Sequence, residues 1–161
     1  MHLERKLFVV SVALFLILVG ISAVAKRDPR APGALSSASD DVMTLGIGSS
    51  EVRAAVADDD AERSRGLGGR RDLAGDEGML FVFDTSDLWG IWMKDMEMSI
   101  DVIWLDSSGK VVHIEEGMTP ETYPKIFFPA ARSRYVIELP AGKVEESGVR
   151  LGDVIPIGER E

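Results

Sequence analysis

From Gly90 to Asp106 the chain reads GIWMKDMEMSIDVIWLD, which sets two Trp, three Met, one Lys and four acidic residues in and between two apolar strands. A period of two puts Ile100, Val102 and Trp104 on one face of the second strand and Asp101, Ile103 and Leu105 on the other. Both faces are apolar apart from Asp101. A carboxylate among Ile and Leu is costly unless it is paired or protonated. The ribbon therefore demands a covered β-fold, and it raises one chemical question.

The flanking sequence supplies the cover. Glu51–Ala57 alternates Val52, Ala54 and Val56 and predicts a strand. Asp59, with Glu62 three residues on, forms a capping box for a short helix ending at Gly66. Gly78–Phe83 is a continuous apolar run of the buried-strand type. Strands are further expected over Gly90–Lys94, Ile100–Leu105, Lys110–Glu115, Arg134–Leu139 and Asp153–Ile157, with a helix over Pro140–Ser147. Gly117–Ala131 is a long loop rich in Pro and aromatic residues, a kind that packs over something or gates it. The expected fold is mainly β: a compact antiparallel barrel or sandwich of six to seven short strands with two short helices.

Leu7–Ala25 is nineteen residues without a charge. As a helix it spans roughly 28 Å, close to the thickness of a bilayer's hydrocarbon core. Residues 1–27 thus read as an N-terminal transmembrane anchor or signal segment. The run is longer than a usual signal core, which favours an uncleaved single-pass anchor at the cell membrane; cleavage after Ala25 would instead secrete the domain. Either way the domain is expected outside the cytoplasm. Residues 28–49, rich in Pro, Gly and Ser, read as a flexible linker, and 50–161 as the folded domain.

Charge and composition narrow the function. Residues 1–30 carry five basic and two acidic side chains, and the remainder thirteen basic and twenty-five acidic, a balance of −12 within the whole chain's −9. Such a domain repels phosphate backbones, so no nucleic-acid partner is expected. The absence of cysteine removes disulfides, thiolate catalysis and zinc–thiolate sites. Asp58-Asp59-Asp60 lacks the Gly and Glu of a calcium loop, since Arg63 and Gly69 occupy those positions. The glycines at 66, 68 and 69 match no nucleotide motif. No cofactor is expected.

Glu138, between Ile137 and Leu139, poses the same question as Asp101. One reading has Arg63, Arg70 or Lys94 pair with these acids and fix the fold. The other brings Asp101, Lys94 and Glu138 together in a cleft with Trp92 as a platform, as a site for a small molecule or an envelope glycan. Binding is favoured there over hydrolysis. Met93, Met96 and Met98 with His113 offer soft copper(I) ligands, but packing explains them better, and no metal site is assigned.

Arg63-x-x-Gly66-Leu67-x-x-Arg70 and Gly78–Phe83 resemble the opening of the family called domain of unknown function 192. The similarity continues through Trp92-Met93-Lys94, Ile100-Asp101-x-Ile103-x-Leu105-Asp106 and Gly109-Lys110-Val111-Val112. It ends with Tyr135–Leu139, Ala141-Gly142 and Gly152-Asp153, spanning about residues 51–157. The resemblance implies a β-rich barrel or sandwich, often behind a signal or anchor, and no assigned activity. The chain departs from the family pattern at Gly68, where Met is usual, and at Asp95-Met96, where Asn-Thr is usual. The expectation drawn from all of this is a membrane-tethered extracytoplasmic binding or accessory module. The alternative is a glycan-acting enzyme using Asp101, Glu138 and Lys94.

Overall fold

The computed structural model describes residues 41–158. Its frame is one six-stranded sheet in the order β1-β2-β3-β8-β5-β6. The strands are β1 (Val42–Ile47), β2 (Ser50–Ala57), β3 (Glu77–Asp87), β5 (Ile100–Leu105), β6 (Val111–Met118) and β8 (Ser133–Pro140). Two short strands, β4 (Ile91–Trp92) and β7 (Ile126–Phe127), pair as a separate ribbon. Among the described residues, helix α1 (Asp60–Arg65), helix α2 (Lys143–Ser147) and a 3-10 turn at Pro120–Thr122 complete the elements.

The mainly β class with two short helices is as the sequence predicts, but four details differ. The sheet is mixed, because β2 and β3 run parallel while every other pair is antiparallel. Parallel neighbours need a long crossover, and residues 58–76 provide one that includes α1. The sheet is open rather than a closed barrel, with β1 and β6 at its edges. Its first strand also lies within the stretch assigned to the linker. Leu45 and Ile47 are buried there against β2, so the small residues around them form a strand and a turn. At the other end, Asp153–Ile157 contributes only a bridge between Lys110 and Val154 instead of a full strand.

Asp59 caps α1 as predicted, accepting 2.8 Å from the Glu62 amide, while Glu62 accepts from the amide of Asp58. Among the described residues no helix is long and apolar enough to cross a membrane. Leu7–Ala25, on which the anchor expectation rests, lies outside them.

Both faces of the sheet are covered, which explains why β5 is buried at every position. On one face Leu45, Val52, Leu80, Ile103, Leu105, Ile137 and Leu139 pack with Val144, Val149 and Ile155 from the C-terminal segment. On the other, Phe81, Val102, Trp104 and Val136 pack under Leu67, Met93 and Phe127. The Gly117–Ala131 loop thus packs over the second face through β7.

The central strands approach too closely at Gly78 to admit a side chain. A Cβ there would sit 2.8 Å from the Glu138 carbonyl oxygen and 3.1 Å from side-chain carbons of Leu139 and Val52. Gly78→Ala is expected to cost about 1–3 kcal/mol through overpacking. A urea midpoint equal to the parent's would contradict that close fit.

Candidate functional site

A cavity of about 440 Å³ opens on the second face of the sheet, within the size range of small-molecule sites. Helix α1 and the turn after it form one wall, and the segment from Trp89 to Met96 forms another. The sheet supplies Phe81, Phe83 and Glu138. These side chains share a face because Phe81 is paired with Val136 and Met79 with Glu138 across β3 and β8.

Glu138 is the chemical centre of this wall. It is 4 % exposed, and its buried Oε2 has no hydrogen-bond partner among the described residues. Burial pushes its pKa up to about 8, against a smaller opposing effect of the Leu67 backbone amide. At neutral pH the side chain is therefore a carboxylic acid that can donate its proton to an acceptor in the cavity. Beside it lies Gly66, whose backbone φ is 51°. A Cβ at Gly66 would stand 3.6 Å from Oε2 and 3.3 Å from the Phe81 ring.

Aromatic surface surrounds this acid. Trp89 stacks on Phe83 at 4.2 Å with an interplanar angle of 7°, and its indole N–H donates to the Thr85 carbonyl. Trp92 is 45 % exposed, with its ring edge-on to Tyr123 at 6.4 Å. It stands in the lining as a half-open apolar plate.

Of the six residues singled out from the sequence, four line this cavity: Trp92, Lys94, Glu138 and Arg63. Arg63 is already engaged. Its guanidinium donates to the carbonyls of Asp58 and Val82, bonds Asp60 at 2.6 Å, and lies over the Phe83 ring. It holds α1 against β3 and pairs with neither questioned acid. Arg70 is half-buried and outside the lining. Lys94 is exposed and, among the described residues, forms no ion pair within 4 Å.

Asp101 is not in the cavity. Register pairs Val102 with Glu138 and Asp101 with Leu139, so the two carboxylates project from opposite faces of the sheet. Asp101 is fully buried; Oδ1 accepts from the Gly117 amide and Oδ2 from the Val144 amide, each at 2.9 Å. It ties the end of β6 and the start of α2 to β5. The expected convergence of Asp101, Lys94 and Glu138 is thus corrected to Glu138 with Lys94 alone. Neither acid is neutralised by Arg63, Arg70 or Lys94, as the fold-fixing reading had required.

Trp89, Phe81, Phe83 and Arg65 are lining residues that the sequence did not single out. Phe81 and Phe83 stood two apart in the apolar run, which was the available signal that they share a face. The methionines are core residues: Met93 is buried at 1 %, and Met96 and Met98 pack against the same cluster. His113 leans on the Trp104 ring at 5.2 Å.

The family model for domain of unknown function 192, described as uncharacterized ACR, matches residues 43–157. A UPF0127 protein of Thermococcus kodakarensis is 34 % identical over 111 residues, covering 66 % of this chain and 67 % of its own. A crystal structure from Sinorhizobium meliloti 1021, described as a candidate transcription regulator, superposes with a TM-score of 0.65 at 32 % identity. The similarity covers 70 % of this chain and 89 % of that one. A protein of unknown function from Novosphingobium aromaticivorans shares the fold, with a TM-score of 0.70 at 23 % identity over 86 % of this chain and 99 % of that one.

Proposed function

The chain belongs to the domain of unknown function 192 family, and we propose that it serves as a membrane-tethered, extracytoplasmic module binding an envelope saccharide. The observation that carries the reading is Glu138. A buried carboxyl with a free oxygen, at the wall of a cavity that also presents an open Trp92 ring, lacks a partner that a ligand hydroxyl can supply. A sugar offers C–H faces to the aromatic plate and hydroxyls to the polar lining. The tether rests on the uncharged run Leu7–Ala25.

Binding is favoured over hydrolysis by the placement of the carboxylates. Asp101 stands behind the sheet, and Asp60, the other carboxylate in the lining, is held by Arg63. Two-carboxylate glycoside chemistry needs an acid and an available carboxylate flanking one bond. A nucleic-acid-binding role is disfavoured by the acidic charge of this domain.

The test is titration of the full-length protein, in a detergent without a sugar headgroup, against a panel of neutral and acidic envelope oligosaccharides. Saturable binding is expected, with Trp92→Ala weakening it roughly tenfold, about 1.4 kcal/mol. Trp92 is half-exposed, so the variant is expected to keep the parent's melting temperature within a few degrees. No binding across the panel, or equal binding by Trp92→Ala, would remove the saccharide reading.

A further inference from the structure

We infer that the saccharide carries a carboxylate, with Arg65 and Lys94 at the cavity rim selecting an acidic sugar over its neutral counterpart. The inference rests on the saccharide reading of the cavity and specifies its substrate class.

Charge distribution is the first support. The domain is strongly acidic, yet the cavity lining holds Arg63, Arg65 and Lys94 against Asp60 and Glu138. Asp60 and Arg63 cancel each other at 2.6 Å. Arg65 and Lys94 remain exposed and, among the described residues, without an ion pair within 4 Å. Apart from the Asp60–Arg63 pair and the buried Glu138, the charged side chains of the lining are these two cations, and clefts focus the field of such groups. A cationic ligand would be repelled there, and a neutral one would leave both charges unused.

The buried acid is the second support, and it is independent of the rim. Glu138 lies in the cavity lining beside Gly66 and keeps a buried oxygen that, among the described residues, has no hydrogen-bond partner. While protonated, it can donate an O–H to a ligand carboxylate, a short charge-assisted hydrogen bond of the stronger kind. An arginine, a lysine and a neutral acid in the lining of one cavity supply three donors for an anionic group. Trp92 and the Trp89–Phe83 stack remain for the ring that bears it.

Cellobiose and cellobiouronic acid make a matched pair of probes, differing only by a carboxylate in place of a hydroxymethyl group. Calorimetric titration of the full-length protein at pH 7 and low salt is expected to show at least fivefold tighter binding of the acid. Salt should erode this preference, because exposed charges are screened. In the Arg65→Ala/Lys94→Ala double variant, whose circular dichroism and melting should match the parent, the ratio is expected to fall to within twofold of unity. Equal affinities in the parent would overturn the charge selection while leaving the saccharide reading intact. A ratio surviving in the double variant would overturn the assignment to these two cations. If neither sugar binds and the oligosaccharide panel is also silent, both readings fall together.

Discussion

At pH 9, Glu138→Gln is expected to be more stable than the parent by on the order of 4 kcal/mol, and at pH 5 to differ from it by less than about 1. The unfolded chain releases the Glu138 proton near 4.5, whereas burial holds the folded value at about 8. Below pH 4.5 both states are protonated and the group adds no pH dependence. Between 4.5 and 8 the unfolded state has lost a proton that the folded state keeps, so stability falls as pH rises. Above 8 the folded state ionises too, and the loss levels off with its full size retained. Gln is neutral throughout and escapes the penalty. Thermal unfolding at the two pH values reads the effect as roughly 10–20 °C in the midpoint difference between the proteins at pH 9. Parallel pH curves for parent and variant would show that Glu138 titrates normally and is not the acid described above.

Asp101 has the opposite character, and its loss is expected to damage folding instead of relieving it. Asp101→Ala leaves the Gly117 and Val144 amides without their acceptor in a fully buried position. Each unsatisfied donor costs about 1–3 kcal/mol, so a total of roughly 3–5 is expected in urea denaturation. Asp101→Asn keeps one acceptor oxygen and turns an NH₂ toward the second amide, which should recover about half of that. Saccharide affinity of the Asn variant should equal the parent's, because position 101 faces away from the cavity. A cost below about 1 kcal/mol for Ala would mean that the two amides find other partners.

These contrasting acids show how far the sequence could be read. Alternation along Ile100–Leu105 correctly placed Asp101 with Ile103 and Leu105. It could not supply the register between β5 and β8, and that register separates Asp101 from Glu138. A shift of one residue would have brought them to the same face. Cap chemistry at Asp59 was legible because it is local. The parallel pairing of β2 with β3 was not, since a crossover through residues 58–76 carries no turn motif that specifies strand direction. Val42–Ile47 was hidden by Gly46, Gly48 and Ser49, whose flexibility resembles a tether's until Leu45 and Ile47 find the core. For the cavity, Trp92, Lys94 and Glu138 could be named from chemistry alone. Trp89 and Arg65 could not, because only the packing of α1 against the 89–96 segment brings them to one opening.

The position of β8 bears on how this chain can be made. Although it is the last of the described strands in sequence, it lies between β3 and β5 and pairs with both. Until residues 133–140 have been synthesised, β1–β2–β3 and β5–β6 are two half-sheets with an unfilled slot and exposed hydrogen-bonding edges. Neither half can complete its core from the N-terminal side, since Val136, Ile137 and Leu139 belong to the two clusters that close it. A nascent chain therefore remains open until β8 is available, then closes around that strand. Such an order exposes the unfinished edges to aggregation in the interval.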